Sequence, residues 1–176
     1  MLEVEVKYRA RLSDVREALR GLGFSLLSSS EEVDIYFQHP CRDFSASDEA
    51  LRVRLSGGAA SVTYKGPRTG TEAKTRLEIT ASSGVEVVEV FKRLGFAPVA
   101  TVRKRREYYQ RGDVLVSLDE VEGLGEFVEI EKVVADAAEV EGAVREVKEL
   151  ASALGLKEEV RETYLELFLK IFKSGS

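Results

Sequence analysis

A single cysteine, Cys41, leaves this chain of 176 residues without an internal disulfide. The fold must therefore stand on packing and hydrogen bonding, and a reducing compartment suits it. Only one histidine, His39, is present. Zinc sites of the usual Cys/His spacing are thereby excluded, and any Ser-His-Asp or Cys-His catalysis would have to run through that residue. No apolar run approaches the ~20 residues of a membrane span, and the chain opens on a charged strand where a secretory leader would be apolar. A cytoplasmic location with no membrane partner is expected. Net basic charge is lacking too: 26 Lys+Arg stand against 31 Asp+Glu, a net charge of -5. That balance argues against general nucleic-acid binding. Chemistry here has to rest on carboxylates, lysine and arginine.

What is present is charge in regular order. Hydrophobic residues make up 44% and charged residues 32%, enough apolar mass for one core and far more charge than solubility needs. No linker or composition shift divides the chain, so residues 1–172 are expected to form one domain, with 173–176 a disordered tail. The first strand, Leu2 to Tyr8, alternates strictly: Glu3, Glu5 and Lys7 share one face, and Leu2, Val4, Val6 and Tyr8 the other. Period two sends alternate side chains to opposite faces of a sheet, with same-face neighbours roughly 7 Å apart.

The pattern predicts strands near 2–9, 33–38, 50–56, 60–66, 75–80, 99–109, 113–119 and 126–133, with turns at Gly57-Gly58, Arg111-Gly112-Asp113 and Gly123-Leu124-Gly125. Three amphipathic helices separate them, each ending in Leu-Gly and a hydrophobic residue: Leu22-Gly23-Phe24, Leu94-Gly95-Phe96 and Leu154-Gly155-Leu156. Glycine suits the left-handed position that stops a helix. The first helix starts near Ser13. A capping box is expected at Ser83/Glu86 for the second, which carries Val88, Phe91 and Leu94, while the third follows Asp136 and Glu139 with Val140, Val147, Leu150 and Leu154 on one stripe.

Charge alternation recurs in strand after strand. Arg52 and Arg54 share a face, as do Arg76 and Glu78, Lys104 and Arg106, and Glu129 and Glu131; Lys65 and Asp119 each sit at a strand end. An ordinary solvated face mixes Thr, Ser, Gln and Lys, whereas this one is heavy in Arg and Glu. Arginine grips phosphate oxygens with paired donors, and carboxylates are hard ligands for Mg2+ or Mn2+. A sheet curled with this face inward would make a hydrophilic tunnel for a polyanion and its metals. Other features are plainer: Cys41 reads as a spectator, His39 as a loop residue, and Tyr36 and Tyr164 as either packing or base-stacking residues.

The motifs then line up with a known family. Glu3-x-Glu5-x-Lys7 is followed in order by Asp34-Ile35-Tyr36-Phe37, Leu51-Arg52-Val53-Arg54, Tyr64-Lys65-Gly66-Pro67, Arg76-x-Glu78, Lys104-Arg105-Arg106-Glu107-Tyr108-Tyr109, Leu118 through Glu131, and Arg161 through Leu167. The series resembles the CYTH superfamily, the triphosphate tunnel metalloenzymes, and His39 through Phe44 resembles the branch of class IV adenylate cyclases and their archaeal relatives. The resemblance implies an α+β fold: a closed antiparallel barrel of about eight strands forming a charged tunnel, with amphipathic helices outside. By position it implies Glu3, Glu5 and Glu131 as metal ligands, with Glu78 and Glu129 beside them, and Mg2+ or Mn2+ as the cofactor. Lys7, Arg52, Arg54, Lys65, Arg76, Lys104 and Arg106 would hold phosphates, and Lys7 and Asp119 would serve catalysis in the lumen. Arg103 with Arg105 is the alternative register to Lys104 with Arg106. The family commonly reads Arg-x-Glu-x-Glu, whereas this chain reads Arg76-Leu77-Glu78-Ile79-Thr80, a departure that bears on metal occupancy or substrate choice.

The implied reaction is conversion of ATP to cyclic AMP and pyrophosphate. A triphosphatase acting on inorganic, thiamine or nucleoside triphosphate shares the same tunnel, and so does a polyphosphate-binding module without turnover. A homodimer is implied by the resemblance alone.

Overall fold

The structure is a computed structural model, and it describes residues 2–69 and 73–174. Eight strands close into an antiparallel barrel: β1 (Leu2–Arg9), β2 (Ser25–Gln38), β3 (Ala50–Ser56), β4 (Ala59–Lys65), β5 (Lys74–Ser83), β6 (Ala97–Arg111), β7 (Val114–Val121) and β8 (Gly125–Val134). Around the ring the order is β1-β5-β4-β3-β2-β6-β7-β8 and back to β1. Closure happens at β1, where Leu2 pairs with Leu77 on one side and Val134 on the other. A two-residue strand, β9 (Glu158–Glu159), takes over beside Tyr8 and Arg9 where β5 has left β1.

Four helices lie outside: α1 (Leu12–Gly21), α2 (Val87–Arg93), α3 (Val140–Ala153) and α4 (Tyr164–Ser174). The barrel is turned inside out relative to an ordinary small barrel, because its apolar residues face the helices. Val4, Val6 and Tyr8 of β1 join Val116, Leu118, Val128 and Ile130 in one core with Leu19 of α1 and Val147 and Leu150 of α3. At α2, Val88 and Phe91 pack partly against Phe37, Leu51 and Val53, while Leu94 stays 63% exposed, outside the stripe expected of it.

The three Leu-Gly endings form the same stop. Gly23, Gly95 and Gly155 have φ of 77°, 90° and 70°, and the residue after each donates its backbone N–H back to Leu19, Phe91 and Ala151 respectively. This is the Schellman geometry that satisfies the last helix carbonyls. Asp136 and Glu139 form a capping box at a 3-10 turn (Ala137–Glu139) leading into α3. Ser83 and Glu86 do not, because Ser83 is still strand, paired with Ala60, and donates to the Gly84 carbonyl. Replacing the cap, Asp136→Ala, is expected to lower stability by about 1 kcal/mol, read as a lower urea midpoint with an unchanged slope.

Besides β9, two elements go furthest beyond the sequence expectation. β2 begins at Ser25, well before residue 33, because its first half is exposed on both faces and carries no alternation; backbone pairing with β6 holds it, with a bulge between Leu26 and Ser28. Helix α4 is the second. Its signal was a genuine capping box: Glu166 N–H donates to Thr163 Oγ1 at 3.1 Å, and Thr163 N–H to Glu166 Oε2 at 2.6 Å. The helix runs to Ser174, past the expected boundary at 172; residues 175–176 lie outside the described residues.

Candidate active site

The inward faces of the strands enclose a cavity of about 150 Å³. Of the residues singled out from the sequence, every one lines it except Asp119. Lys104 and Arg106 point inward and are buried, while Arg103 and Arg105 are exposed, which decides the register. Asp119 faces the barrel interior in register with Arg106 and is fully buried beside the cavity, where both its oxygens accept from Arg106 and Oδ2 also accepts from the Tyr164 hydroxyl at 2.6 Å. A carboxylate saturated in this way orients Arg106 and does not line the cavity.

Most of the cations are neutralised. Arg54 is gripped by Asp34 at 2.7 and 2.9 Å and by Glu32 at 3.0 Å. Lys104 lies 2.5 Å from Asp34. Arg106 also pairs with Glu129, which holds Lys7 at 3.0 Å. Lys7 is further pinned by the Glu162 carbonyl at 3.3 Å and by the Tyr164 ring, whose centroid is 3.8 Å away. Lys65 pairs with Glu78 and stands 3.7 Å from Glu3, and Lys74 pairs with Glu5 at 2.9 Å.

Arg52 and Arg76 differ. The nearest carboxylates are Asp34 at 3.9 Å from Arg52 and Glu78 at 3.5 Å from Arg76. The Nε of each is buried with no acceptor among the described residues. Buried donors are normally paired, and an unpaired one costs free energy, so these two guanidinium groups retain donor capacity toward the cavity.

The acids carry the complementary imbalance. Carboxylate oxygens of Glu5, Glu129 and Glu131 lie within 4.8 Å of one another. Burial pushes Glu5 and Glu129 up, but Lys74 beside Glu5 brings it down to about 2, and Lys7 and Arg106 hold Glu129 well below its ordinary value. Glu131 makes no ion pair among the described residues; burial raises it to about 7, with Glu129 and Glu5 adding repulsion against the pull of Arg106. Burial likewise lifts Glu3 well above its ordinary value despite Lys65. An under-neutralised cluster of hard oxygen donors fits a divalent cation such as Mg2+ or Mn2+. The structure gathers Glu5, Glu129 and Glu131 into one cluster, while Glu3 and Glu78 converge on Lys65.

Sequence reasoning passed over Glu32 and Lys74, and reached Asp34 only within a matched motif. The signal existed: Glu32 is two residues before Asp34 and Lys74 two before Arg76, each continuing its strand's inward face. Tyr36 and Tyr164 do pack, against Phe127 and Val121, and both also border the cavity. His39 stays in its loop, accepting from the Cys41 N–H, and Cys41 is an exposed thiol. A second cavity of about 230 Å³ adjoins the first and shares Tyr36, Ala50, Arg76, Thr163 and Leu165 with it. Its own cation, Arg68, is occupied by Asp48 at 2.6 Å and Glu166 at 2.8 Å. No described helix is long and apolar enough to cross a membrane.

Known proteins resemble this chain over most of its length. The MJ0240 protein of Methanocaldococcus jannaschii, provisionally named an adenylate cyclase, is 40% identical over 172 residues, 95% of this chain and 98% of that one. Adenylate cyclase CyaB of Aeromonas hydrophila is 30% identical over 165 residues, 90% of this chain and 84% of its own length. The solved PH1819 protein of Pyrococcus horikoshii superposes with a TM-score of 0.88 at 42% identity, covering 96% of this chain and 98% of that one. With the CYTH domain matching residues 1–164, the inward charge and the relatives agree, and this chain belongs to the CYTH domain family.

Proposed function

We propose that this protein is an adenylate cyclase that converts ATP to cyclic AMP and pyrophosphate within the barrel. The observation that carries a polyanion substrate is the pair of buried, acceptor-less Nε atoms of Arg52 and Arg76 facing one cavity. The adjoining cavity supports an organic triphosphate over an inorganic one. With Arg68 occupied and Asp48, Glu49 and Glu166 on its wall, it offers a fourth phosphate no cation beyond the shared Arg76, while Tyr36 and Leu165 offer apolar surface to a nucleoside. The name of the Aeromonas relative supports the same reaction.

In this reading Glu5, Glu129 and Glu131 hold a Mg2+ or Mn2+ ion, whose chemistry when bound is Lewis acidity toward phosphate and hydroxyl oxygens. Lys7, locked between Glu129 and the Tyr164 ring, keeps the Glu129 carboxylate in place. Arg52, Arg76 and Lys65 bind the phosphate chain. As the ribose 3′-oxygen bonds to the α-phosphorus, the α–β bridging bond breaks and pyrophosphate leaves with the electron pair. Preorganised cations stabilise that growing charge without rearranging. The cavity-facing carboxylates are the acceptors the site offers for the 3′-hydroxyl proton.

Incubating the protein with ATP, inorganic triphosphate and thiamine triphosphate in Mg2+ or Mn2+ tests the reading. Cyclic AMP with equimolar pyrophosphate is expected from ATP. Orthophosphate from any of the three would make it a triphosphatase instead, and no product at all would leave a binding module.

Binding should also depend on pH. Burial, together with Arg106 and Arg54, lowers Lys104 to about 8 despite its contact with Asp34. A bound polyanion favours the charged ammonium and raises that value. Binding should therefore take up a proton near pH 8–9, and affinity should fall toward about tenfold per pH unit above pH 8. Calorimetry in buffers of different ionisation enthalpy measures the uptake, which Lys104→Met should abolish.

A further inference from the structure

We infer that Thr63 and Thr80 form a hydroxyl pair that positions Arg52 without a carboxylate hydrogen bond, an inference that rests on the reading of the lumen as a triphosphate site. Thr63 on β4 is fully buried, and it stands in register between Arg52 of β3 and Thr80 of β5. Arg52 donates from its terminal nitrogen to Thr63 Oγ1 at 3.2 Å, and Thr63 Oγ1 lies 3.0 Å from Thr80 Oγ1.

Donor counting fixes the first step of the chain. A guanidinium can only donate, so Thr63 accepts from Arg52. The Thr63 hydroxyl also shares a hydrogen bond with Thr80, in which either can be the donor, and Thr80 stands at the exposed end. Three links follow in one line, from guanidinium to buried hydroxyl to exposed hydroxyl.

The neighbouring arginines show what this chain avoids. Arg54 and Arg106 are oriented by carboxylates that also cancel their charge. Arg52 is oriented by a neutral oxygen, with its nearest carboxylate at 3.9 Å and its Nε without an acceptor. A hydroxyl holds the geometry without adding a carboxylate to the Asp34 that stands 3.9 Å away, so more of the positive charge is left to a phosphate. An acid at position 80 would restore part of the cancellation, so Thr80 is suited to a lumen that binds polyanion strongly before any metal is present. Thr63 and Thr80 are positioning residues acting through Arg52.

Calorimetric titration of inorganic triphosphate in EDTA, with no metal present, tests this. Arg52→Met should weaken binding by tens of fold, as expected for loss of a charged hydrogen bond. Thr63→Val, which keeps the shape and removes the hydroxyl, should weaken it about tenfold; Thr80→Val should do so by a smaller factor, and Thr63→Ser should restore most of the affinity. In the Arg52→Met background, Thr63→Val and Thr80→Val should have no further effect. Equal losses in both backgrounds would overturn the inference, as would wild-type affinity in Thr63→Val. If Thr63→Val folds poorly, the exposed Thr80→Val reports on the same chain. Wild-type affinity in Arg52→Met would instead remove Arg52 from the phosphate site, which separates failure of the underlying reading from failure of the positioning.

Discussion

Glu131→Gln is expected to lose metal-dependent turnover by about a thousandfold and yet to be more stable than the wild type in metal-free buffer. The two effects have one cause. Glu131 lines the cavity, makes no ion pair among the described residues and lies against Glu5 and Glu129. Its carboxyl, ordinarily near 4.5, is raised to about 7, chiefly by burial. Between those values the folded protein holds the proton more tightly than the unfolded chain does. Stability contributed by this group therefore falls as pH rises from about 4.5 to 7, and the full penalty, roughly 3 kcal/mol, stands above pH 7. Glutamine keeps the shape and cannot carry the charge. In EDTA the variant should melt higher than wild type at pH 7.5 and equally at pH 4.5. A lower melting temperature at pH 7.5, or wild-type turnover, would remove Glu131 from the proposed metal cluster.

Arg106→Met should be the most destabilising single change in the lumen, costing about 3–5 kcal/mol. Arg106 is buried and donates to both oxygens of Asp119 and to Glu129. Without it two buried carboxylates face each other, and only the Tyr164 hydroxyl and Lys7 remain to serve them. Arg76→Met makes the contrast. Arg76 is equally buried but has only Glu78 at 3.5 Å, and Glu78 keeps Lys65. That variant should change stability by less than about 1 kcal/mol while weakening triphosphate binding more than tenfold. Denaturant unfolding and triphosphate titration of both proteins check the split. Equal stability losses would mean that Arg76 is as structural as Arg106, and the distinction between framework and binding cations would fail.

Strand periodicity alone determined which residues share the lumen. Glu3, Glu5 and Lys7 of β1, and Glu129 and Glu131 of β8, had to face one way because period two admits no other choice once Val4, Val6, Val128 and Ile130 are buried. The glycine stops after α1, α2 and α3 were equally local, since they depend on a backbone conformation that few other residues adopt. Where local signals competed, the sequence was ambiguous: Ser83/Glu86 and Thr163/Glu166 carry the same capping pattern, and only continuation of β5 through Ser83 silences the first.

Partnership was decided by tertiary structure. Period two assigns a side chain to a face without saying which neighbour stands across from it, and those neighbours come from register and from closure of β5 onto β1. So nothing along the chain separates Arg52 and Arg76, whose Nε atoms find no acceptor among the described residues, from Arg54 and Arg106, claimed by acids. Nothing along the chain hides Asp119 behind Arg106 and Tyr164 either, since that depends on where α4 docks. The acids and bases were written into the strands, but their balance of charge is a property of the closed barrel, because Coulomb energy depends on distances in space that only the fold creates.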